Sequence, residues 1–125
     1  MEPPSILYGD VFKIPFEFDG NEAVNQYGPP LKYAIVIISP QLRQGTEYVP
    51  VVIASTKTRE LRSFEHELGT DDGFDHETVV DGRWIFTISA TKLIPSAYKF
   101  RLLKPQMKEI ITTLCRSLAQ SHNSY

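Results

Sequence analysis

The sequence predicts a mainly β, α+β domain: a small barrel or curled sheet of five or six short strands capped by one C-terminal α-helix. Three observations predict it. Apolar and polar residues alternate with period two from Val11 to Phe18 and again from Ser63 to Leu68. A continuous β-branched run, Tyr33 to Ile38 (YAIVII), has the composition of a strand buried on both faces. After Lys104 the period lengthens to that of a helix, with Met107, Ile110, Ile111, Leu114 and Leu118 on one stripe.

The elements follow in order. Pro3 and Pro4 oppose regular structure in a short lead-in from Met1 to Tyr8. In the first strand Phe12, Ile14, Phe16 and Phe18 share one face, and Lys13, Pro15 and Glu17 the other. Pro15 has no N–H to donate, so that strand needs an edge or bulge there. Asp19 to Leu31 is rich in Gly, Pro and Asn and reads as a long loop, a type that often carries function. The central strand from Tyr33 to Ile38, a turn from Ser39 to Glu47 and a third strand from Tyr48 to Ala54 come next. Gly69 to Asp75 is a turn. Glu77–Val80 and Arg83–Ile88 are the last strands, interrupted at Asp81-Gly82 by a turn or bulge. Pro105 suits the first helical position. The tail from 118 to 125 is polar and is expected to fray, and residues 1–125 read as one domain.

Composition narrows the function classes. With 125 residues, 42% hydrophobic and 22% charged, the chain has the make-up of a soluble globular protein. A net charge of −2 gives no global attraction to phosphate backbones, so a nucleic-acid site would need a local basic patch. The single Cys115 excludes an intramolecular disulfide and a multi-cysteine zinc site, and reads as a packed or partly packed thiol beside the helical stripe. No apolar run approaches the roughly 20 residues that span a bilayer. No segment resembles a signal peptide, and the expected location is cytoplasmic.

Acidic residues cluster from Glu60 to Asp81, but DDGFDHE lacks the alternating ligands and closing Glu of a calcium loop. His66 and His76 lie near Asp75 without the spacing of a zinc motif, so no metal site is expected. Two places remain where polar groups stand at the ends of predicted strands. One is Lys32, before the central strand; the other is Ser55-Thr56-Lys57, after the third. Rigid strand ends hold side chains as a site requires. Spacing alone favours a plain turn there.

Four ordered segments add to this. Gly9-Asp10-Val11, Lys32–Pro40 (KYAIVIISP), Val51–Lys57 (VVIASTK) and Gly73–Leu93 (GFDHETVVDGRWIFTISATKL) resemble, in order and spacing, the strands of the MazF/PemK family of toxins from toxin–antitoxin pairs. Met107–Leu118 is similar to the family's closing helix. That family folds as an SH3-like barrel of five to seven short strands with a C-terminal helix packed on it. The resemblance implies a homodimeric endoribonuclease that needs no cofactor and cuts single-stranded RNA at short sequences. A 2′-hydroxyl attacks the adjacent phosphorus and leaves a cyclic phosphate. It also implies an antitoxin partner with a disordered acidic segment.

The family's paired Arg and Thr fall on Lys32 and Ser55, with Thr56 the adjacent alternative. Lys32 would stabilise the phosphate and act as general acid, and Ser55 or Thr56 would orient the scissile group. Lys57 and the Asp19–Leu31 loop, including Tyr27, would contact RNA, and Trp84 would stack an unpaired base. Lys keeps the cation of Arg but not its planar fork. Trp84 and Phe86 stand where the family keeps Gln and Arg. These replacements give a second expectation: a non-catalytic barrel that binds an antitoxin-type peptide. A barrel toxin acting on another protein through its helix ranks last, because the tail lacks an apolar end.

Overall fold

The structure, a computed structural model, describes residues 6–16, 30–39, 47–57, 60–62 and 64–123. Most of the expected Asp19–Leu31 loop, strand positions Glu17 and Phe18, and residues 40–46 lie outside them. Among the described residues six strands are formed: β1 (Asp10–Pro15), β2 (Leu31–Val36), β3 (Tyr48–Thr56), β4 (Glu65–Leu68), β5 (Thr78–Ser89) and β6 (Tyr98–Arg101). One helix, α1 (Lys104–Asn123), follows. The strands make one antiparallel sheet in the order β4-β5-β3-β2-β1-β6.

The sheet is curled, and two ring contacts show it. Phe16, at the end of β1, packs edge-on against Phe86 of β5 with centroids 4.8 Å apart, although β2 and β3 lie between those strands in the sheet. Phe74, just before β5, meets Phe100 of the opposite edge strand at 5.0 Å. Curling gives the sheet an inner face, with Phe12, Ile14, Ala34, Val36, Val49, Val51 and Ile53 in one cluster. The outer face pairs Val11, Tyr33, Ile35, Val52 and Val80 with Met107, Ile110 and Leu114 of α1. β3 alternates between these cores. From Val51 to Ala54 every side chain is buried.

Pro15 sits where its missing N–H does least harm. β6 pairs with β1 only at Asp10–Phe12, so Pro15 has a neighbour on the β2 side alone. β6 itself was not anticipated; its YKFR pattern is too short to stand out, and only pairing with β1 makes it a strand. Asp10 anchors that edge. Its buried carboxylate accepts from Arg101 Nε at 2.7 Å and from the Leu7 N–H at 2.8 Å.

The expected break at Asp81-Gly82 is a bulge inside one long strand. Val52 pairs with Ile85 and Ala54 with Val80, so Asp81, Gly82, Arg83 and Trp84 stand against the single Ile53. Asp81 holds the bulge by accepting from the Arg83 N–H, Nε and Nη2. The Arg83 guanidinium lies 3.8 Å over the Phe64 ring.

Gly82 also determines how the helix packs. A Cβ there would stand 2.5 Å from Ser117 Oγ and 3.0 Å from the Thr113 carbonyl oxygen. The helix backbone therefore comes down on the bulge, burying Thr113 and Ser117. The stripe continues through Ser117, and Leu118, expected to be in the core, is 61% exposed. Ser117 satisfies its own hydroxyl by donating to Thr113 O at 2.9 Å. Cys115 is likewise exposed rather than packed, one step off the buried stripe. The helix runs on to Asn123, and among the described residues no helix is long and apolar enough to cross a membrane.

A Gly82→Ala variant is expected to lose about 1–3 kcal/mol in urea unfolding through this close approach. Adding Ser117→Ala should recover part of the loss, because the shortest of the close contacts at Gly82 disappears.

Candidate functional site

β2 and β3 end together. Their last paired residues are Tyr33 and Ala54, so Lys32 and Ser55 are the next opposed positions and share the sheet's inner face. Lys13, Tyr33, Ala54 and Thr56 alternate onto the outer face. Around these ends opens a cleft of about 480 Å³, lined by Lys13, Lys32, Ser55, Thr56, Tyr33 and His76 among others. The apolar sequence of β3 explains its polar end. Once the strand leaves the core, hydroxyls replace Val and Ile, and their side chains meet solvent.

Asp75 organises the outer side of the cleft. The Tyr33 hydroxyl donates to its Oδ1 at 2.5 Å and Lys13 Nζ to its Oδ2 at 3.2 Å, while His76 Nε2 lies 3.3 Å from Oδ1. The hydrogen bond from Tyr33, then that from Lys13, hold the Asp75 carboxyl below its ordinary value of 3.8. Burial, and then the Asp75 hydrogen bond, push the Tyr33 hydroxyl up to about 12, so it remains a donor at any working pH. Lys13 also sits over the Tyr33 ring at 5.3 Å. His76 reaches the end of β3 as well, with Nε2 3.4 Å from Thr56 Oγ1.

The structure brings Lys32, Ser55 and Thr56 to one cleft. Lys57 is beside it but not in its lining. Its ammonium is held by both Glu67 oxygens at 3.2 Å, and that carboxylate raises its pKa. Trp84 is 45% exposed in the β5 bulge, stacked beside Phe86 with ring centroids 6.3 Å apart, and does not line the cleft. Tyr27 lies outside the described residues. Lys32, expected at the end of a loop, is instead the second residue of β2 and pairs with Ile14, because the strand begins and ends two residues earlier than the apolar run. Among the described residues no cluster of His, Cys, Asp or Glu could hold a metal ion.

Sequence reasoning missed Lys13, Tyr33, Asp75 and His76. Asp75 and His76 looked like part of a solvated acidic turn, and Lys13 like the outer face of an ordinary strand. One signal was present. A tyrosine at the start of a buried apolar run needs a partner for its hydroxyl, and the nearest polar groups of the fold had to supply it.

A curled, antiparallel six-stranded sheet with one C-terminal helix, and a mixed cationic and hydroxyl cleft at its strand ends, is the class of protein defined to this point. No family model matches the chain, and no curated protein matches its sequence. Solved structures do match. An endoribonuclease from a mycobacterial species, in complex with its cognate antitoxin, superposes with a TM-score of 0.68 at 20% identity, covering 92% of this chain and 96% of that one. An endoribonuclease from a mycobacterial species gives 0.68 at 19%, covering 94% of each. The Mycobacterium tuberculosis toxin MazF-mt6 gives 0.61 at 12%, covering 88% and 96%. The chain has the fold of these proteins.

Removing the Tyr33 hydroxyl should test the Asp75 arrangement. The lowered carboxyl contributes stability that is present above its unfolded value near 3.8 and lost as pH falls through the lower folded value. A Tyr33→Phe variant is therefore expected to be less stable than the parent at pH 7, with the gap closing below about pH 4. Carboxyl NMR should show the Asp75 midpoint rising.

Proposed function

We propose that this protein is the toxin of a toxin–antitoxin pair, acting as an endoribonuclease on single-stranded RNA. The observation that carries the reading is the cleft at the ends of β2 and β3. It sets Lys13, Lys32, Ser55, Thr56 and His76 around one opening on a fold shared, over most of both chains, with endoribonucleases. Such a cleft suits transesterification of a phosphodiester. The RNA 2′-oxygen bonds to the adjacent phosphorus, the bond to the 5′-oxygen breaks, and a cyclic phosphate and a 5′-hydroxyl remain. Lys32 stabilises the added charge on the phosphorane and gives a proton to the departing oxygen. Ser55 and Thr56 hydrogen-bond to the phosphate and hold the scissile link. Lys57 and Trp84, away from the cleft, would touch the flanking RNA.

The same reading includes two partners. The antitoxin would supply a disordered acidic segment that covers the cationic cleft, as charge complementarity favours. A second copy of the chain would cover the outer face of β3 and β5. There Tyr48 and Ile85, 57% and 44% exposed, alternate onto the side of Val52 but lie uncovered. One observation favours the rival, non-catalytic binder: Lys13 and Lys57 are each already paired with a carboxylate.

Incubating the purified protein with mixed-sequence single-stranded RNA is expected to give fragments ending in cyclic phosphate. Lys32→Ala should lower the single-turnover rate by about 100-fold or more. Intact RNA with the parent protein would leave the binder reading in place, and an unimpaired Lys32→Ala enzyme would remove Lys32 from the chemistry.

A further inference from the structure

Lys13 has a defined place on the outer face of β1. Its side chain, 26% exposed, lies against Tyr33, its partner in the ladder, with Nζ 5.3 Å from the ring centroid. Nζ donates to Asp75 Oδ2 at 3.2 Å. An ammonium carries three N–H groups, and among the described residues this is the one hydrogen bond that Lys13 makes. The pairing therefore fixes the ammonium and leaves donors over, in the wall of the cleft.

The carboxylate that holds Lys13 is itself held. Asp75 Oδ1 accepts from the Tyr33 hydroxyl, and that tyrosine is buried in the core. On the other flank of Asp75 stands His76, with Nε2 3.3 Å from Oδ1. The His76 ring is fixed in turn at Nδ1, 3.1 Å from the Glu77 carbonyl oxygen and 3.3 Å from Oγ1 of the buried Thr78. Asp75 is thus a fixed post for the ammonium rather than a mobile counter-ion.

Position adds to this. Lys13 and Lys32 stand on neighbouring rungs of the β1–β2 ladder, Lys13 opposite Tyr33 and Lys32 opposite Ile14. They approach the cleft from opposite faces of the sheet. The two non-bridging oxygens of a phosphodiester diverge from phosphorus, so donors that grip both must arrive from different directions. Two lysines on opposite faces do so.

We infer that Lys13 is a second phosphate-binding cation of the reaction, and that Asp75 is the residue that positions it. The inference rests on the ribonuclease reading above. Lys13 donates a hydrogen bond to one non-bridging oxygen while Lys32 holds the other, and its proton stays on nitrogen throughout. As the 2′-oxygen bonds to phosphorus, a second negative charge builds on those oxygens. A donor already fixed there gains strength without reorganising. A lysine loose in solvent would have to be ordered first, an entropic cost that the tether to Asp75 removes in advance. Pairing with a carboxylate does not disarm Lys13; it aims it.

Three variants of the full chain test this, each checked for folding by urea unfolding. Lys13→Met keeps an apolar stem against Tyr33 and removes the charge. Its single-turnover cleavage of mixed-sequence single-stranded RNA should be slower by about 100-fold. Lys13→Arg, which keeps the cation, should recover most of that loss. Binding of the same RNA with 2′-fluoro sugars, which cannot react, reports the contact separately. The slope of log K against log salt should shrink in Lys13→Met by about 0.7, the value of one phosphate contact on a single strand. A merely structural Lys13 would leave that slope unchanged. Asp75→Asn can still accept from Tyr33 but lacks the charge that tethers Lys13. It should bind the unreactive RNA at least as tightly as the parent, because a negative charge beside the phosphate is gone. It should nonetheless cleave reactive RNA about tenfold more slowly, the worth of one hydrogen bond. If the parent cleaves and Lys13→Met keeps its rate and salt slope, the inference is overturned while the ribonuclease reading stands. An Asp75→Asn protein that cleaves as fast as the parent removes the positioning role. A parent that cleaves nothing overturns both readings.

Discussion

β3 is packed on both faces, and the rest of the structure depends on that constraint. A strand buried on both sides has no surface on which to place polar groups, so its chemistry is confined to its ends. On one side it is covered by α1 and on the other by the curl of its own sheet, which the Phe16–Phe86 contact closes. Its alternation then divides the end residues between two faces, Ser55 on one and Thr56 on the other. The cleft has two chemically different sides for that reason alone. β2 ends at the same level, and adds Lys32 to one side and Tyr33 to the other.

Electrostatically the two sides are unlike. On the outer side Asp75 is shared among a tyrosine hydroxyl, an ammonium and an imidazole, a small network whose members constrain one another's geometry. Exposed pairs of this type contribute little to stability, since water screens them. Their effect is positional: Tyr33 is fixed in the core, Asp75 is fixed by Tyr33, and His76 is fixed between Asp75 and Thr78. Rigidity passes outward from a packed ring to the groups at the surface.

The strands and helix were legible where periodicity is strong and the residues are many. The β1 alternation, the doubly buried run of β2 and the stripe of α1 through Leu114 all follow from side-chain patterning. β6 was not legible, because four residues carry too little pattern and pairing with β1 decides the matter. Leu118 misled because hydrophobicity was weighed without the shape of the opposing surface. Gly82 has no side chain, so the helix rests there on Ser117. Of the cleft, Lys32, Ser55 and Thr56 stood out as polar groups at strand ends, but spacing alone favoured a plain turn there, and only the family resemblance gave them a role. Asp75 and His76 were not legible, since a turn's side chains acquire meaning only once the fold shows which strand end they face.

The bulge at Asp81–Trp84 divides β5 into two ladders whose registers are set separately. Thr78–Val80 is aligned by the end of β3 and by β4, and Ile85–Ser89 by the start of β3. In evolutionary terms the bulge is slack. Apart from Gly82, on which the helix rests, and Asp81, which holds the turn, residues within it can change identity without sliding His76 relative to Thr56 or disturbing the inner core at Phe86 and Ile88. Drift in the sequence of this strand can thus collect at one place and leave the ends of the sheet aligned.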